Sequence, residues 1–171
     1  MLETLEEMAN LQALLDDSMT SAGPHLRDII TDDRRLSALE LTERLRGMRL
    51  LVLATVTADG RPLVGPVDGY FLHGTFWLST GKASVRRRHL ARRPACSATH
   101  LPGDELAVTV HGKAEVAALE DPVNADLLQA MVDEYLPKVG PEFEQGLDEM
   151  DAVGVRIVPK KMFTFCMDQQ S

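Results

Sequence analysis

Residues 50–79 read LLVLATVTADGRPLVGPVDGYFLHGTFWLS. Leu50 to Thr57 is apolar and rich in β-branched residues, and it is too short for a typical helix, so it reads as a strand. Ala58-Asp59-Gly60 is a hairpin turn with glycine at the position that needs a positive φ. Pro62 to Leu72 is a second strand. Gly65 and Pro66 interrupt it, which marks an edge, a bulge or a place where a ligand approaches the backbone. His73-Gly74 turns the chain again, and Thr75 to Ser79 is a third strand holding the single tryptophan, Trp77. Three strands joined by tight turns form an antiparallel meander, since a parallel pair needs a long crossover. A doubly wound βαβ fold is excluded for this part of the chain.

Working outward, Ala95 to His100 is a fourth strand and Glu105 to Ala117 a long fifth one, with a bend or bulge at Gly112. Asp121-Pro122 opens a helix in the favoured order of cap then proline. It is expected to run to Tyr135 and to bury Val123, Leu127, Met131 and Val132. Pro137 to Met150 reads as irregular or as a short acidic helix. Val153 to Val158 is a sixth strand, which Met162 to Met167 extends or follows after Pro159. Before the meander, apolar residues recur at helical spacing over residues 2–18, and a short helix covers His25 to Ile30. Leu36 to Arg46 is a further helix, with Ser37 and Glu40 spaced as a capping box and Gly47 at its end. The expected fold is mainly β, of the α+β kind: a six-stranded antiparallel split barrel with Greek-key character, flanked by helices. Residues 1–47 form a helical arm that need not belong to the main core and is free to pack on a neighbouring subunit, and residues 48–171 form the barrel domain.

The chain has 171 residues and a formal net charge of -8, which argues against general nucleic-acid binding. No apolar run approaches the length of a membrane span, and the N-terminus is acidic and helical rather than a signal peptide. Cytoplasm is the expected compartment. Cys96 and Cys166 form no CxxC motif and read as reduced and buried. There is no GxSxG elbow, P-loop or GxGxxG. The five histidines include no HxH or HxxxH pair, so no metal site is expected.

Against the acidic background stands one cationic stretch, Leu78 to Pro94. A strand ends in Ser79 and Thr80, Gly81 turns, and a helix follows with Arg86, Arg87, Arg88, Arg92 and Arg93. Hydroxyls, glycine and cations at a strand-to-helix junction suit a phosphate, because free N–H groups and the helix dipole face the anion. The same residues also make an ordinary solvated basic helix. Leu63 to Gly69 pairs exposed backbone with small apolar side chains, against which a flat, polar-edged ring can lie; a plain edge strand has the same pattern.

The order LATVTADGRPLVGPV, TFWLSTGKASVRRRHL, ELAVTVHGKAEV resembles the pyridoxamine 5′-phosphate oxidase-like split-barrel family of flavoproteins. The resemblance covers Arg49 to Val116 well and Val153 to Phe165 loosely. Its most specific part is the pattern Lys82-Ala83-Ser84-Val85-Arg86. It implies a homodimer with two flavin sites at the interface. Lys82, Ser84 and Arg86 would hold the phosphate of FMN, with Thr80 nearby. Val64, Gly65, Pro66 and Val67 would line the ring. His89 stands where members often have Asn. Asp68 and Ala107 stand near positions where strict oxidases carry Lys and Gln, and no substrate-phosphate Arg or His is recognisable in residues 162–171. The resemblance therefore does not extend to oxidation of pyridoxamine phosphate.

The function expected from this is a flavin-dependent oxidoreductase moving hydride between bound FMN and an unknown small molecule. An F420-dependent reductase on the same fold is the close alternative, its anionic tail met by the further arginines. A non-catalytic carrier, sensor or store for flavin or haem is the alternative of another class, with His89 and His111 as the candidate axial ligands. Nucleic-acid binding is disfavoured by charge and by the few aromatic residues.

Overall fold

Leu51, Leu53 and Thr55 are 0–3% exposed, whereas Leu50 and Val52 between them are 57% and 46% exposed. This alternation of one buried and one open face defines the first strand. The computed structural model describes residues 2–167; Met1 and residues 168–171 lie outside the described residues, and with them the end of the C-terminal stretch discussed above. In chain order the elements are α1 (Leu5–Thr20), α2 (Pro24–Ile29), α3 (Ala38–Arg44), β1 (Met48–Val56), β2 (Pro62–Leu72), β3 (Thr75–Gly81), α4 (Val85–Arg92), β4 (Ala95–His100), β5 (Leu106–Ala118), α5 (Ala125–Val139), α6 (Glu142–Met150) and β6 (Ala152–Cys166).

The six strands close into an antiparallel barrel in the order β1-β2-β3-β6-β5-β4, with β4 returning to β1. Inside lie Leu51, Leu53, Phe71, Phe76, Leu78, Val108, Val110, Val155, Ile157 and Met162. Phe71 and Phe76 meet edge to face at 5.3 Å between centroids. Leu11 and Leu15 of α1 and Leu41 and Leu45 around α3 belong to the same buried cluster, so the arm packs on its own barrel. Ser18 Oγ accepts from Met162 N at 2.9 Å, and Thr164 Oγ1 accepts from Leu36 N at 3.0 Å. These bonds satisfy buried groups that would otherwise cost free energy. A second apolar cluster joins Tyr70 and Trp77 of the barrel to Leu127, Met131 and Leu147 of α5 and α6. No helix among the described residues is long and apolar enough to cross a membrane. Both cysteines are free and buried.

The C-terminal third settles one open reading and departs from expectation at Val123 and at Pro137. β6 runs as one strand through Pro159, the first of the two continuations the sequence left open, because a register slip between His111 and Gly112 puts the proline at a bulge. A Cβ on Gly112 would lie 2.2 Å from the Val158 carbonyl oxygen, so the strand crossing requires glycine there. Val123 is 52% exposed rather than buried, because Pro122–Asn124 form a separate 3-10 turn capped by Asp121 before α5 begins. Pro137 lies inside the last turn of α5 instead of ending it, and the helix stops at Gly140 with φ 82°. Residues Glu142–Met150 then form α6, the short acidic helix.

Candidate functional site

β2 pairs with β1 along Pro62–Tyr70, but with β3 only from Gly69 to Leu72. Residues 62–68 therefore present an edge with no strand beside it, which is the split in the barrel. α4 follows β3 and lies across this opening. Arg86 bridges the gap: its Nη2 donates to the Pro66 carbonyl at 2.9 Å. Gly65 lies beside it: a Cβ there would sit in ordinary contact with Arg86 Nη2, at 3.5 Å. Between the open edge and α4 is a cavity of about 280 Å³, lined by Leu53, Thr55, Leu63, Val64, Gly65, Ser84, Val85 and Arg86.

Ser84 caps α4, its Oγ accepting from Arg87 N at 3.1 Å, and Thr80 Oγ1 lies 3.0 Å from the same oxygen. The capping hydroxyl and the first turn of the helix thus face the cavity, where the dipole favours an anion. Burial lowers the pKa of Arg86, but a guanidinium keeps its proton in proteins. Arg87 carries a buried Nε with no hydrogen-bond partner, an uncompensated donor on this same turn. Arg88 and Arg93 instead hold the backbone: Arg88 donates to Ala83 O at 3.1 Å and Arg93 to Ala58 O at 3.3 Å. His89 Nδ1 lies 3.1 Å from Thr55 Oγ1 on the cavity wall, which fixes the ring.

Of the residues singled out from sequence, the fold brings Val64, Gly65, Ser84 and Arg86 to one cavity, with the Pro66 carbonyl held by Arg86 and His89 joined through Thr55. Thr80 is buried behind Ser84. Val67 turns inward and packs on the core. Lys82 points away, its Nζ 2.8 Å from Asp151 Oδ2 in an exposed pair. The wall residue Thr55 carried no signal in the sequence beyond its place in a strand.

Asp68, at the inner end of the open edge, accepts a hydrogen bond from the Tyr135 hydroxyl of α5. Tyr135 stacks on Phe143 with centroids 5.3 Å apart. Burial first, and the bond to Asp68 second, raise the Tyr135 pKa, so the phenol remains a donor and offsets the carboxylate. On a different side of the barrel, His111 Nδ1 lies 2.7 Å from Ser97 Oγ. Among the described residues no cluster of three or more His, Cys, Asp or Glu side chains is placed to hold a metal ion.

Residues 39–166 match the sequence family described as pyridoxamine 5′-phosphate oxidase. No curated protein sequence matches the chain at a significant level. Among solved structures, a conserved hypothetical protein of Mycobacterium tuberculosis is 28% identical, with a TM-score of 0.64 over 80% of this chain and 88% of that one. The haem storage protein HutZ of Vibrio cholerae is 17% identical, with a TM-score of 0.61 over 77% of this chain and 95% of that one. An F420 reductase is 24% identical, with a TM-score of 0.54 over 69% of this chain and 91% of that one. The last two are likenesses of fold alone.

Proposed function

Since the chain belongs to the pyridoxamine 5′-phosphate oxidase family, we propose that it is a homodimeric flavin-dependent oxidoreductase that uses FMN to move hydride to or from a small molecule. The observation that carries this reading is Arg86 reaching from α4 to the Pro66 carbonyl on the open edge of β2. It puts a cation, a capped helix N-terminus and unpaired strand backbone around one cavity.

The residues present fit such a cofactor. Ser84, the first turn of α4 and Arg86 would hold the phosphate. The backbone of residues 63–67 offers donors and acceptors to a flat, polar-edged ring, with Val64 and Pro66 as its apolar support. Bound FMN supplies the hydride chemistry. The protein's part is to bind, orient and exclude water. Asp68, satisfied by Tyr135, sets the polarity at the far end of the edge.

Two features support a dimer. The cavity of about 280 Å³ is at the lower bound of the roughly 300–1,000 Å³ of small-molecule sites, in keeping with a partner subunit that completes the pocket. Leu50, Val52 and Val64 are 57%, 46% and 60% exposed on the outer face of neighbouring strands, a patch suited to a partner. We place the protein in the cytoplasm, in keeping with two free, buried thiols.

F420 in the same groove is a second reading, favoured by the exposed Arg88 and Arg92 on α4, which extend the positive charge beyond the cavity toward a longer anionic tail. The test is the visible spectrum of the purified protein, followed by titration with FMN and with F420. An FMN-like two-band spectrum or saturable FMN binding is expected. A colourless protein that binds F420 and not FMN selects the second reading. A Soret band shifts the assignment to haem carriage. Arg86→Ala is expected to weaken FMN binding about 10–150-fold, the equivalent of roughly 1.5–3 kcal/mol for a charge-assisted bond. Unchanged affinity in a folded variant removes the phosphate assignment.

A further inference from the structure

A second cavity is larger and more apolar than the one beneath α4. A cleft of about 790 Å³ opens where the ends of β1 and β4 meet the bend in β5 and β6. It shares only Thr55 with the pocket discussed above. Its floor is Ala54, Val56, Ala95, Val158 and Pro159, and its polar lining includes Lys113, Lys160 and Lys161. The chain contains five lysines in all, so three of the five converge here on a protein of net charge -8. No Asp or Glu lines the cleft, and among the described residues none of the three lysines is in an ion pair. The bulge at Gly112 and Pro159 creates this arrangement: the register slip turns Lys113 on β5 and Lys160 and Lys161 on β6 toward one opening. Chance placement of surface lysines would put carboxylates among them in so acidic a chain. An apolar floor rimmed by uncompensated ammonium groups has a definite complement.

We propose that this cleft is a binding site for a small amphipathic anion, an apolar body carrying one carboxylate or phosphate group. The body lies on the Ala54, Val56 and Val158 floor, and the head group meets Lys113, Lys160 and Lys161. Lysine is suited to a head group of loose geometry, since its ammonium acts as a point charge on a flexible stem. The site meets the flavin pocket only at the Thr55 wall.

The test is calorimetric titration of the full chain, as purified, with octanoate, octyl phosphate and the neutral octanamide. The expected result is saturable binding of one anion per protomer, with octanamide roughly tenfold or more weaker, as for loss of a charge-assisted bond. Binding of octyl phosphate alone assigns the head group as phosphate, and of octanoate alone as carboxylate. The triple variant Lys113→Met, Lys160→Met, Lys161→Met keeps the aliphatic stems and is expected to erase the preference for anions. Lys138→Met, on α5, is expected to leave it intact. Equal affinity for octanoate and octanamide, retained preference in the folded triple variant, or no saturable binding overturns the proposal. Should the triple variant not fold, the wild-type ratio of octanoate to octanamide and its fall with added NaCl decide the matter. Flavin titration of the same samples reads the other pocket separately, so failure of one assignment is distinguishable from failure of the other.

Discussion

His73 ties three distant parts of the chain together. It sits in the β2–β3 turn at φ 53°. Its Nδ1 is 3.0 Å from Glu7 Oε1 on α1, and its Nε2 is 2.7 Å from Asp126 Oδ2 on α5. Only the imidazolium can donate to both carboxylates; a neutral ring leaves one nitrogen lone pair facing an oxygen. Burial lowers the His73 pKa, but the Asp126 bond and the Glu7 charge outweigh it, and the net shift is upward. The sign follows from linkage: a pKa higher in the folded than in the unfolded chain gives stability that is complete below about 6.5, the ordinary value, and is lost as pH rises through the folded value. The side chains are 26% (His73), 32% (Glu7) and 53% (Asp126) exposed, so solvent screening discounts both pairs. At about 0.5–1 kcal/mol per partly exposed pair, the two together give about 1–2 kcal/mol, or about 2–8 °C in Tm for a chain of this size. His73→Asn is the suitable perturbation, because asparagine tolerates a positive φ. Thermal melts of both proteins at pH 5.5 and 8.5 should show a Tm gap at the lower pH that narrows at the higher. A gap that is equal at both, or wider at pH 8.5, would refute the reasoning.

Three further outcomes are expected. Gly112→Ala forces a Cβ to within 2.2 Å of a backbone oxygen and should destabilise the protein by about 2 kcal/mol or more in urea unfolding; a change under about 0.5 kcal/mol contradicts the bulge. Burial pushes the Cys96 thiol up to about 11, so at pH 8 about one molecule in a thousand carries the thiolate; a disulfide reagent should therefore label the native protein slowly and the urea-unfolded chain quickly. Val52→Glu places a charge on the exposed outer face of β1 and should shift the protein from dimer to monomer in sedimentation, with little loss of secondary structure, if that face is the subunit interface.

Residue patterns local to the chain carried most of the fold. The apolar, β-branched run of residues 50–57, the Asp59-Gly60 turn and the Ser37–Glu40 capping box are set by neighbours within a few residues, and each appears in the structure. Proline was the weaker guide. Pro137 read as lying beyond the helix end, yet it sits inside the last turn of α5, where it gives up one intrahelical bond; Pro159, past which the strand was read as either continuing or ending, sits beside a bulge, where a missing N–H costs little. The same division runs through the candidate site. Ser84 and Arg86 were legible because capping and charge at a strand-to-helix junction are sequence-local features. Lys82 belongs to the same motif, but its direction depends on Asp151, which the chain brings back 69 residues later.

By itself the sequence determined the strands, the turns, the cationic junction and the antiparallel character, since side-chain period and backbone preference act over a few residues. Only the tertiary structure decided which edge stayed open. The β2–β3 pairing stops at Gly69 and Leu78, beyond which β3 runs on beside β6 alone, and this divergence leaves residues 62–68 without a strand on that side. It also decided that Arg86 rather than Lys82 reaches that edge, that Tyr135 answers Asp68, and that three lysines share one cleft. Each is a meeting of residues far apart in the chain, fixed by barrel closure and strand register, which no local pattern encodes.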